Sequence, residues 1–252
     1  MSIPESLRDQ VMSQLPTTET LGTEMQAEQV IQELLPLIEE NVLTAVIASK
    51  NREGFLLFIR GELVSAQCGN KDAVSALELL YTLPDFAFSA YQLPYEHARA
   101  MLALTHGIPR SVVPQNWQDL HLSLYQEVFT GCCLQENGKV TRVCLWVDGD
   151  ALQPLQETEG ATYQVLEVPH PLPPNIMMAY RTYHQQKRNA EIHSLWFKLE
   201  IILREFVGRG APAALQHLKN LHRNEMPEEL RQSLRQWIQD TLDEDALAMF
   251  DA

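Results

Sequence analysis

The stretch VLTAVIASKNREGFLLFIRGELVSAQCGNKDAVSALELLYTLPDFAFSAY, residues 42–91, decides the fold. Leu43 to Ala48 is an apolar run, Lys50 to Gly54 is a polar turn, and Phe55 to Arg60 is a second apolar run with aromatic and β-branched content, so both runs read as strands. Arg60-Gly61-Glu62 breaks the pattern before Leu63 to Cys68. A tight hairpin needs positive φ there, which glycine adopts without steric cost. Asp72 can cap a helix whose Val74, Leu77, Leu80 and Tyr81 recur at three and four, with Ala73 and Ala76 small enough to approach the sheet. That helix ends near Pro84. Phe86, Phe88 and Ala90 then alternate with Ala87 and Ser89, the pattern of an edge strand returning to the hairpin.

At Gly54, Phe58, Gly61, Leu63, Ala66, Ala76, Leu79, Leu80, Phe86 and Phe88 the stretch resembles the PATAN family, the PatA amino-terminal domain of bacterial signalling proteins. Its pattern is a glycine, an apolar strand, an aromatic-x-x-Gly-x-apolar turn, an alanine, a leucine-rich helix and a Phe-x-Phe ending. The likeness covers about residues 24–91 and includes a helix before the first strand. Two positions depart from it: Asn41 stands where a glycine would open the first strand, and Lys71 to Val74 lacks the glycine usual before the helix. The resemblance implies a non-enzymatic module that engages a response regulator, a small GTPase system or a pilus motor.

A second hairpin follows. Trp117, Leu120, Leu124, Tyr125 and Val128 form an amphipathic helix running into Phe129 to Leu134. Asn137-Gly138 is the strongest hairpin dipeptide in the chain, and beyond it Thr141, Val143, Leu145 and Val147 alternate with Arg142, Cys144 and Trp146. Phe58-Ile59-Arg60-Gly61-Glu62-Leu63 and Trp146-Val147-Asp148-Gly149-Asp150-Ala151 match type for type, and a later strand follows each, here Ala161 to Val168. Residues 115–168 therefore read as either a degenerate internal repeat or a chance likeness between two hairpins.

Around these units, residues 1–22 read as an amphipathic arm followed by linker. Ser2-Ile3-Pro4-Glu5 has the form of a capping box, and Ile3, Leu7, Val11 and Leu15 share one face. Thr23-Glu24-Met25-Gln26 is a second capping box, opening a helix that carries Val30, Ile31, Leu34, Leu35 and Ile38 and that Pro36 should kink or split. Residues 94–107 read as a helix stopped by Gly107, and Ile108 to Pro114 as a connector. Pro169 to Pro174 holds four prolines and reads as a stiff linker. Residues 175–252 are helical in pattern, with a heptad seam at Ile192, Leu195, Leu199, Ile202 and Phe206 whose two heptads are short for an autonomous coiled coil and read as the core stripe of a small bundle in preference to a dimer seam. The expected class is α+β: 23–168 as an antiparallel hairpin sheet with packed helices, then a small all-helical domain.

The 252 residues are 45% hydrophobic, enough for a sizeable core, and the formal charge is −14. The start is polar and no apolar run is long enough for a membrane span, so a cytoplasmic location is expected. Residues 1–170 hold 9 Lys+Arg against 22 Asp+Glu, while Arg181 to Arg223 holds 8 against 3. Cys68, Cys132, Cys133 and Cys144 contain no C-x-x-C pair, and few cations lie near them to favour a thiolate, so they read as small buried hydrophobes. There is no G-x-S-x-G, no phosphate-cradling glycine loop and no H-E-x-x-H. His217 and His222 are five apart and face different ways. No catalytic, metal or cofactor residue is assigned. The expected function is binding another protein, with Phe58, Arg60, Gly61, Glu62, Phe86 and Phe88 as the structural and interaction residues. Two other readings are a small-molecule or nucleotide sensor, and a nucleic-acid protein using 181–223, which the overall negative charge opposes. A homodimer through the seam at 192–206 or the strand at 86–91 is a further expectation.

Overall fold

The computed structural model describes residues 5–16, 18–49, 54–82, 87–111, 116–138 and 140–252. The capping box at Ser2, most of the Lys50–Gly54 turn, Phe86 and part of the connector before Pro114 lie outside these residues. Two units are distinguished, Met1–Tyr180 and Arg181–Ala252. The division falls inside a helix, beyond the prolines at 169–174, because Ile176 and Met177 pack into the first unit's core.

The first unit contains helix α1 (Glu5–Gln14), strand β1 (Glu19–Gln26), the helical run α2 (Ala27–Gln29), π-helical Val30–Leu34 and α3 (Leu35–Glu40), then β2 (Ala45–Ser49), β3 (Gly54–Ile59), β4 (Glu62–Cys68), β5 (Lys71–Asp72), α4 (Ala73–Thr82) and β6 (Ala87–Gln92). These strands form one sheet in the order β1-β6-β2-β3-β4-β5. After α5 (Tyr95–His106) come β7 (Ile108–Pro109), α6 (Trp117–Gln126), β8 (Gly131–Asn137), β9 (Val140–Val147), β10 (Asp150–Ala151) and β11 (Thr162–Glu167), with sheet order β10-β9-β8-β11-β7. All pairings are antiparallel. The class is α+β.

Three expectations are corrected. Residues 19–22 are not linker, and Thr23 does not open a helix: Glu19–Gln26 is strand β1, whose backbone pairs with β6 from Glu19↔Gln92 to Gln26↔Ala87. Helix starts only at Ala27, where the Gln26 N–H donates to Gln29 Oε1 at 3.0 Å. In consequence β6 is no edge strand, since it lies between β1 and β2, and its backbone is not available to a second copy. Pro36 does not split the helix either. The Leu35 N–H reaches back five residues to Val30 O, and this π-type widening accommodates a proline that cannot donate to the preceding turn.

The packing explains the burial of both strands in each hairpin. Between the sheets lies α5, and Val11 and Leu15 of α1 enter from the β9 edge; with Ala98, Met101 and Leu102 they pack against Val46, Phe55, Leu57 and Val64 of one sheet and Cys132, Leu134, Val143, Leu145 and Leu166 of the other. On the outer face of the first sheet, Leu34 and Ile38 cover Ile47, Leu56, Phe58 and Leu63. On that of the second, Leu120 and Leu124 cover Cys133, Cys144 and Trp146. A strand buried on both faces loses its polar alternation, which is why Phe55–Ile59 is a continuous apolar run.

The second unit continues helix α7 (Ile176–Phe206) and adds α8 (Ala211–Leu221), α9 (Pro227–Thr241) and α10 (Glu244–Asp251). The seam residues Leu195, Leu199 and Ile202 are buried against Leu218, Leu230, Leu234, Ile238 and Phe250. The seam is therefore the core of this small bundle and not a free dimer face.

Candidate functional site

The two sheets use the same turn. Arg60 and Gly61 have φ of 51° and 78°, Asp148 and Gly149 of 50° and 88°, and two successive positive values make the turn type I′, which suits the strand twist of a tight hairpin. The chain entering each hairpin also matches. Val42 and Val128 have φ of 56° and 53°. Leu43 and Phe129 then donate to Ile38 O and Leu124 O, both at 3.0 Å, closing the preceding helix. Gly61 donates to Leu43 O at 2.7 Å and Gly149 to Phe129 O at 2.9 Å. The Arg60 N–H donates to Thr44 Oγ1, and the Asp148 N–H to Thr130 Oγ1, each at 3.1 Å. Glycine is required by contact as well as by φ: a Cβ at Gly61 would lie 3.1 Å from Glu39 O, and one at Gly149 would lie 2.9 Å from Tyr125 O.

Both turns border the first turn of α5. The Arg60 guanidinium stacks on the Tyr95 ring at 4.3 Å, with Arg99 at 5.7 Å from the same ring and held by Glu96 at 2.7 Å. On the other flank, Asp148 and Glu96 act on the charge of His97. Burial, the larger influence, holds the His97 pKa below its ordinary value, and these two acids oppose it. His97 Nδ1 is buried without a hydrogen-bond partner. The end of the sandwich thus presents Arg60, Tyr95, Arg99 and Asp148, a mixed-charge aromatic surface.

Val42 and Val128 flank the two turns, with their Cα atoms 3.2 and 3.3 Å from where the Gly61 and Gly149 Cβ atoms would sit. They are 59% and 62% exposed. A β-branched residue at positive φ is strained, and these two lose little apolar contact on truncation. Val42→Gly and Val128→Gly are expected to raise stability by about 1 kcal/mol each, the relieved strain exceeding the added chain entropy of glycine. Equilibrium denaturation checks this, and a loss of stability in both variants would refute it.

The sign of the His97 shift gives a second expectation. The folded chain binds this proton less readily than the unfolded chain, so the stability it contributes is fully present above the ordinary value of 6.5 and is lost as pH falls toward the lower folded value. Melting temperature should decline as pH falls through and below the ordinary value of 6.5, with His97→Gln flattening the slope. An identical slope in the variant would refute the assignment.

Of the residues expected from sequence, Arg60 and Glu62 are exposed at the turn and Gly61 is buried at its base. Phe58 and Phe88 are 0% and 4% exposed and belong to the core. Sequence reasoning missed Val42, Val128, Tyr95, His97 and Arg99. Aligning Val42-Leu43-Thr44 with Val128-Phe129-Thr130 would have found the valines; nothing local marks α5 as the element between the turns.

Cys68, Cys132, Cys133 and Cys144 are buried, and burial raises the thiols of the last three, that of Cys144 to about 12. Arg110 holds Glu127 and Glu167, each at 2.9 Å. Among the described residues no group of three or more His, Cys, Asp or Glu could hold a metal ion, and no helix is long and apolar enough to cross a membrane. Comparison with protein-family models, with curated proteins and with solved structures finds no match to this chain.

Proposed function

We propose that the protein is a non-enzymatic regulatory module that binds another protein through the end of the sandwich where the two type I′ turns meet α5. The observation that carries this reading is the pair of exposed valines held at positive φ beside those turns. Backbone strain at an exposed apolar side chain has no use within the fold, where glycine or asparagine would serve better, but an apolar contact to a partner would use it. Tyr95 with two arginines at its ring supplies the side-chain types that dominate binding energy at interfaces. The PATAN resemblance points the same way and extends the reading to bacterial signalling, with a response regulator, a GTPase system or a pilus motor as partner classes. The excess of acid in residues 1–170 favours a neutral or basic partner over nucleic acid. In the basic stretch two cations are already engaged, Lys219 over Trp196 at 5.9 Å and Arg204 with Glu200.

The test is capture of partners from the native cell by wild type, by Val42→Gly/Val128→Gly and by Tyr95→Ala. A partner retained by wild type and lost from both variants, with the valine variant at least as stable as wild type, supports this face. A partner held equally by all three refutes it. A nucleotide, ester or phosphoester turnover that survives repurification and vanishes on a single substitution would defeat the non-enzymatic reading.

A further inference from the structure

The two sheets differ in how the outer edge of the hairpin's first strand pair is covered. In the first, β4 pairs with β3 from Ile59↔Glu62 to Gly54↔Cys68, covering that edge for the strand's whole length. In the second, β10 covers only Val147 and Trp146, after which Leu152 donates to Leu145 O at 2.9 Å and the pairing stops. The remaining edge of β9 would expose backbone groups, which is a hazard in a strand buried on both faces. Two glutamines one turn apart on α1 take them instead. Gln14 accepts from Leu145 N at 2.9 Å and donates to Val143 O at 2.8 Å; Gln10 accepts from Val143 N at 3.0 Å and donates to Thr141 O at 3.4 Å.

Each side-chain amide bridges an N–H and a C=O two residues apart, as the N–H and C=O of one residue in a parallel neighbouring strand would. Val11 and Leu15 complete the imitation by entering the core between the sheets. By the shared strand order, Ser65, Ala66 and Gln67 of β4 occupy the equivalent place beside β3.

We propose that α1 is a displaceable strap over a strand-addition site on β9, and that the site accepts an extended segment of a partner protein, apolar at alternate positions and neutral or basic in charge. The alternation follows from the places of Val11 and Leu15, which an added strand must refill from one face only. The charge follows from the 9 Lys+Arg against 22 Asp+Glu of residues 1–170, which also disfavours a second copy of this chain. The site is separate from the turn face and stands or falls without it.

The experiment compares the full-length wild type with Gln10→Ala/Gln14→Ala, using as probe a labelled, end-capped synthetic heptapeptide with the sequence of Glu62–Cys68 carrying Glu62→Gln, which leaves it neutral. The strap predicts that the variant loses hydrogen-exchange protection at the Val143 and Leu145 amides. It also predicts at least tenfold tighter peptide binding than wild type, with those two amides protected again in the complex. Loss of protection with no gain in binding overturns the proposal, and so does self-association of the variant by light scattering in place of peptide binding. Should the variant fail to fold, wild type alone decides. Val143 and Leu145 must then exchange at least tenfold faster than the amides of the central strand β8, because a strap opens locally while β8 waits for global unfolding. Equal rates would make α1 an ordinary part of the fold.

Discussion

Gly149→Val is expected to lower the stability of the first unit by about 3–5 kcal/mol, from strain at positive φ and overpacking together. The φ of 88° is one a β-branched residue rarely adopts. The new Cβ would also sit 2.9 Å from Tyr125 O and 3.3 Å from Val128 Cα, both backbone atoms that cannot rotate away. Relief by opening the turn would break the 2.9 Å bond from Gly149 N–H to Phe129 O and unseat the entry to β8. Gly61→Val meets the corresponding atoms at 3.1 and 3.2 Å and should cost nearly as much. Because the chain has two units, denaturation should be followed through hydrogen exchange in β8 and β9 and not through a global signal. An unchanged opening free energy at those amides would mean that the turn tolerates a side chain and that its glycine is incidental.

Phe58→Ala should cost about 3–5 kcal/mol, the range for a large aromatic removed from a well-packed core. Phe58 is fully buried beneath Leu34 and Ile38, and it pairs with Ala45 across the hairpin. Ala45 is small and fully buried, so the strand surface offers little with which to fill the space. Phe58→Leu should recover much of the loss. Any fall in partner binding by Phe58→Ala should track its unfolded fraction, since a side chain in this position touches no partner. A folded Phe58→Ala protein that has lost binding would place Phe58 at an interface after all.

The hairpins, their glycine turns, the α+β class and the helical carboxy-terminal region were legible in the sequence, because each rests on local rules: apolar runs bounded by turn residues, positive φ at glycine, and helical spacing. Residues 19–26 were misread because Thr23 to Gln26 carries the local signature of a helix start, whereas pairing with β6 satisfies their backbone instead. The amphipathic arm was legible as an arm, with Val11 and Leu15 on its apolar face. That its polar Gln10 and Gln14 would stand in for a strand was not, since no spacing in α1 refers to the length of β10.

The sequence by itself determined where the chain turns and which faces are apolar, through steric limits on φ and the periods of helix and strand. Only the tertiary structure decided that both sheets share one strand order and that α5 lies between them with its first turn beside both glycine turns. It also decided that the uncovered edge of β9 falls to α1. The reason is that long-range pairing is settled by which unsatisfied backbone groups and apolar faces remain once each local element has formed, and that remainder is a property of the whole chain.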